Sequence, residues 1–154
     1  MDQDLFSIAI HEAGHAVAAF AFDIRFLECS VDPENRDGVV ETGDIDYTGA
    51  TLDRMKQHCI MYLAAWEAQL LHETDLNEAA HEFSLENDRA NAKNCVMFAV
   101  AEPNERAEMY EQCRLAARDF VRDNWDKIER VGKKLYESRV LTYDEVAALI
   151  GTIN

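Results

Sequence analysis

The chain has 154 residues, 48% of them hydrophobic, which is the size of one ordinary domain with enough apolar mass for a core. Its net charge of −15 and pI near 4.6 repel a phosphate backbone, so nucleic acid is excluded as a partner. No stretch is apolar for the roughly eighteen residues a membrane span needs. The opening Met1-Asp2-Gln3-Asp4 is acidic where a secretion signal is basic, so the expectation is a cytoplasmic protein with no membrane partner.

Leu5, Ile8, Ala9, Ala13, Ala16, Val17 and Phe20 recur at helical spacing and predict a helix over 3–22 with a wide apolar face. Residues 26–32 read as a strand, Pro33 to Gly38 as a turn and 39–42 as a second short strand, together a hairpin. Thr51 is placed to cap a helix over 52–72 that carries Met55, Cys59, Met61, Tyr62, Leu63, Trp66 and Leu70. The polar stretch 73–83 reads as irregular or briefly helical. Ser84 is read as the cap of a third helix over 85–101, which ends near Pro103. A helical pattern then runs from 105 to 138 with a kink near Asn124, and Thr142 with Glu145 makes a capping box for a short last helix. The predicted fold is mainly α with a small β-hairpin or sheet near the N-terminal third. It is a single domain over 1–154, with 1–102 as the half carrying the functional site and 103–154 as a C-terminal helical part. Cys29, Cys59, Cys95 and Cys113 show no CxxC spacing and read as reduced, partly buried thiols. Trp66 and Trp125 read as core anchors.

The chemistry sits in the first helix. His11-Glu12-Ala13-Gly14-His15 is an HExxH pattern. Residues four apart stack on one helix face, so both imidazoles reach one ion, and zinc accepts two such ligands in its tetrahedral shell. Glu12 lies beside the metal rather than on it, where a carboxylate takes the proton of a zinc-activated water. The third ligand is not set by this pattern. The HExxHxxGxxH type is excluded, because its Gly and His positions hold Ala18 and Ala21. A Glu from a neighbouring helix is the second type, but Glu34 falls in the hairpin turn, a poor scaffold for a fixed ligand. Glu67 and the run Ser84-Leu85-Glu86-Asn87-Asp88 remain as candidates. His58, His72 and His81 read as ordinary surface or core histidines, with His81 the nearest in sequence to that run.

HEAGHA at His11–Ala16, followed by SLENDRANA at Ser84–Ala92, resembles the peptidase domain of the FtsH family of ATP-dependent zinc metalloproteases. The resemblance extends over nearly the whole chain, including Arg122 to Glu129 and the ending Leu141-Thr142-Tyr143-Asp144-Glu145. It implies that Asp88 is the third zinc ligand with His11 and His15, that Glu12 is catalytic, and that the reaction is peptide-bond hydrolysis. It also implies a peptide or unfolded-protein substrate, for which the hairpin edge near Val39–Thr42 reads equally as a pairing strand or as a plain structural strand. The chain departs from the family at Ala64-Ala65-Trp66, where the family has Gly-Gly-Arg, and at Gln69, where it has a Glu. There is no GxxxxGK[ST] either, so a separate ATPase or a homo-oligomer is the implied partner. The alternative function is a catalytically weak or inactive zinc-binding module of the same kind that acts as a regulatory or interaction protein.

Overall fold

Helix α1 (Gln3–Ala21) is capped by Asp2, whose side chain accepts from the Leu5 N–H at 3.2 Å. Its small residues Ala9, Ala13, Ala16, Ala18 and Ala19 are completely buried, and so is Ile10. The expected wide apolar face is therefore a helix enclosed over most of its surface.

The computed structural model describes residues 1–73 and 82–151, and of 82–84 the backbone only. Strands β1 (Glu28–Asp32) and β2 (Asp37–Glu41) form the expected hairpin, paired antiparallel with Cys29 opposite Val40 and Val31 opposite Gly38. Helix α2 (Leu52–His72) has the predicted bounds, and the Thr51 side chain accepts from the Arg54 N–H at 3.1 Å. Helix α3 (Glu82–Ala99) starts before Ser84, so Ser84 is a helical residue and not the cap, and the helix ends before 101. The long C-terminal pattern is broken rather than kinked. Helix α4 (Pro103–Asp123) stops at Asn124, whose amide Nδ2 donates back to the Phe120 carbonyl at 2.9 Å, and α5 (Trp125–Ser138) follows. Arg139 in left-handed conformation (φ 72°) ends α5 and turns the chain into β3 (Val140–Thr142), which then enters α6 (Tyr143–Ile150) through the predicted Thr142–Glu145 capping box.

The fold is mainly helical, as expected, but the sheet has three strands in the order β2-β1-β3. β3 pairs with β1 through Leu141 opposite Cys29. A three-residue strand has too little pattern to read alone; it exists because β1 offers it a partner from more than a hundred residues earlier. β2 is consequently an edge strand among the described residues.

Two hydrophobic clusters flank α2. One joins α1, Met61, Ala64 and Ala68 to Val121, Ile128, Val131 and Leu135, so the C-terminal helices share a core with α1. The other lies between α2, α3 and α4 and includes Met55, Cys59, Leu63, Cys95 and Cys113. All four cysteines are free and buried. Contact between α1 and α2 is close because both sides are small there. A Cβ added to Gly14 would sit 3.0 Å from the Ala64 carbonyl oxygen and 3.0 Å from Ala65 Cα. This approach brings α2's backbone to the His11–His15 turn.

Candidate metal centre

His11, Glu12 and His15 are 4%, 5% and 7% exposed, and Asp88 from α3 is 8% exposed. Such burial of four ionisable groups is costly unless they are paired or hold an ion. The two imidazoles lie one turn apart, edge to face, with ring centroids 5.1 Å from each other. Asp88 Oδ2 lies 2.9 Å from His11 Nε2 and 3.2 Å from His15 Nε2.

The far side of each ring decides which nitrogen is free. His15 Nδ1 is 2.9 Å from the Met61 carbonyl oxygen, which can only accept, so Nδ1 carries the hydrogen. His11 Nδ1 donates in the same way to Gln69 Oε1 at 2.7 Å, and Gln69 Nε2 donates on to Ser7 Oγ at 3.1 Å. In the neutral ring each Nε2 then presents a lone pair towards Asp88. Three electron-rich atoms converge, all within 4.8 Å of one another, and only a cation between them relieves the repulsion. A proton serves in part. Burial by itself would push His15 down, yet the facing Asp88 carboxylate lifts it to about 9. Burial likewise pushes Asp88 up, and the two histidines more than offset it, holding the carboxyl well below its usual range. A metal ion satisfies all three atoms at once, with two imidazoles and one carboxylate as ligands. The buried group His11, His15 and Asp88 can hold a metal ion.

Glu12 points past this group. Its Oε1 is 3.9 Å from His11 Nε2, and its carboxyl is pushed up by burial, with the two histidines pulling partly the other way. Its stem lies against β2, where a Cβ on Gly38 would come within 2.6 Å of Glu12 Cγ and 3.0 Å of the Ser30 carbonyl. The four residues open into a cleft of about 260 Å³ whose other walls are Gly38, Val39, Val40 and Thr42 on the hairpin side and Tyr62 on α2.

The structure thus brings together His11, Glu12, His15 and Asp88. It does not bring Glu67 in: that side chain turns towards Arg114, 4.0 Å away. Glu34 is exposed in the hairpin turn, with its N–H donating to Asp32 Oδ1. His58 is buried against Tyr47, with ring centroids 5.0 Å apart, and His72 packs edge-on to Phe6. His81 lies outside the described residues. Sequence reasoning did not find the Met61 carbonyl, Ser7, Gly38 or Tyr62. A backbone carbonyl carries no side-chain signal, and the roles of Ser7 and Gly38 exist only once α2 and β2 lie against α1.

No model of a known protein family matches the chain, and no curated protein matches it. No described helix is long and apolar enough to cross a membrane.

Proposed function

We propose that the protein is a zinc-dependent metalloendopeptidase that hydrolyses peptide bonds. The observation that carries this reading is the convergence of three lone-pair atoms, from His11, His15 and Asp88, beside a buried glutamate at the wall of an open cleft. The donor set suits zinc, which takes imidazole nitrogen and carboxylate oxygen in a tetrahedral shell, three protein ligands leaving one position open. When bound, zinc supplies Lewis acidity, polarising a carbonyl and making water acidic. The chain's own residues do the rest. Gln69 and Met61 fix the ring orientations of His11 and His15. Glu12, whose carboxyl burial pushes above its usual range, would as a carboxylate accept the proton of the attacking water and return it to the leaving amine. Edge strand β2 offers its unpaired backbone to an extended peptide, which suits a broad range of peptide or unfolded-protein substrates. The resemblance to the FtsH family's peptidase domain agrees with the ligand roles of His11, His15 and Asp88 and with the role of Glu12.

The test compares wild type with Glu12→Gln, both zinc-loaded, on a broad peptide library. Cleavage by wild type alone supports the enzyme. If both bind zinc and neither cleaves, the protein is the regulatory zinc module instead.

A further inference from the structure

The hairpin wall of the metal cleft starts at Asp37, the first residue of β2. Gly38, the next residue, touches Glu12: a Cβ placed on it would lie 3.1 Å from Glu12 Cδ. Asp37 therefore stands one residue along the edge strand from the carboxyl read as the proton acceptor. It is exposed, and its Oδ1 accepts from the adjacent Gly38 N–H at 2.8 Å. The obvious counter-ion is engaged elsewhere. Arg36, its neighbour in sequence, reaches the other way to Asp2, with contacts of 3.0 and 2.9 Å. Across the hairpin Asp37 faces Asp32, and like charges directly opposite each other cost stability. Asp32 is itself satisfied, by the Glu34 N–H at 2.9 Å and by Asn35 Nδ2 at 2.7 Å. Among the described residues Asp37 makes no ion pair, and no lysine or arginine lines the cleft.

We propose that Asp37 is a specificity-determining residue of this cleft, which favours a peptide with lysine or arginine beside the scissile bond. The inference rests on the peptidase reading. A peptide laid along β2 and cut beside Glu12 brings a side chain next to the cut within reach of this carboxylate. An ammonium or guanidinium there gains an ion pair and relieves the repulsion between Asp32 and Asp37. An uncharged side chain does neither, and an acidic one adds a third carboxylate. Because Asp37 is exposed, the gain is that of a solvent-screened pair, about three- to fivefold in kcat/KM, and it shrinks with salt.

Three peptides test this on the zinc-loaded full chain. They share one sequence that the protein cleaves and carry lysine, norleucine or glutamate beside the cut. At about 50 mM salt the lysine peptide should be cleaved about three- to fivefold better than the norleucine peptide, with glutamate worst, and the preference should fade at about 0.5 M. Asp37→Asn keeps an acceptor for the Gly38 N–H and loses the charge, so its lysine to norleucine ratio should be near one. Asp37→Glu should retain the preference. Glu34→Gln removes a charge from the same turn but outside the cleft, and its ratio should match wild type. Equal cleavage of the lysine and norleucine peptides by wild type overturns the inference, as does a preference that survives Asp37→Asn. A preference that Glu34→Gln also loses overturns it too, since it would then belong to the overall charge of −15. Should Asp37→Asn misfold, a wild-type preference indifferent to salt overturns it. Protein that holds zinc and cleaves no peptide overturns the peptidase reading itself; cleavage without regard to charge overturns only the role of Asp37.

Discussion

Glu12 and the atoms around it make separable demands on single residues. On the proposed function, Glu12→Gln removes the proton acceptor and keeps the shape, so turnover should fall by about two to four orders of magnitude while zinc content holds. Gly38→Ala is a subtler case. A Cβ there overlaps Glu12 Cγ at 2.6 Å, so the carboxylate must move while His11, His15 and Asp88 stay put. The expected result is a drop in kcat with zinc affinity within a few-fold of wild type, read by activity and a zinc titration on the same preparation. Gln69→Leu does the reverse. It strips His11 Nδ1 of its acceptor, and zinc affinity should weaken by roughly ten- to a hundredfold. Gln69 stands where the resembled family has a Glu, and an amide oxygen serves the same accepting role without adding another charge to a site already crowded with carboxylates.

At the scale of elements, α2 is the organiser. Its Met61 carbonyl and Gln69 orient the two histidines, while its other face meets α3, which carries Asp88. It also holds His58, which is 4% exposed and pushed down to about 4 by burial, with Arg54 adding to the effect. The folded pKa is below the unfolded value of 6.5, so the unfolded chain takes up a proton that the folded one refuses. The associated stability is present above pH 6.5 and is lost as pH falls towards 4. Between pH 7 and 5 the loss should be about 1–2 kcal/mol. Chemical denaturation of wild type and His58→Gln at both pH values checks it, since the variant should lack this part of the slope. α3 illustrates the limit of local reading. Ser84 is a good cap by residue type, yet the helix extends to Glu82, because a capping residue within a helix is overruled once neighbouring turns form.

For the whole molecule, a metal ion held by His11, His15 and Asp88 would tie α1 to α3 across the fold. A ligand bound only by the native state stabilises it by mass action, about 4 kcal/mol at a thousandfold excess over Kd. Chelation should therefore lower Tm by roughly 8–16 °C for a chain of this length. Asp88→Asn should melt at one temperature with or without zinc, and a scanning-calorimetry comparison of the two proteins decides the point.

The sequence by itself determined what depends on short-range spacing. His11, Glu12 and His15 lie on one helix because helical geometry places residues four apart on one face. The Thr51 cap, the Thr142–Glu145 box, the hairpin turn and the bounds of α2 were legible for the same reason. Asp88 was one of several open candidates from the residues alone, and only the family resemblance singled it out. Tertiary structure decided everything that joins distant segments. It turned Glu67 away to Arg114, set Asp88 against both histidines, paired β3 with β1 and pressed Gly38 on Glu12. It also opened a cavity beside Asp88. These follow from how the helices and strands pack on α1 and α2, and packing is a property of shapes brought together over many residues, which no local pattern encodes.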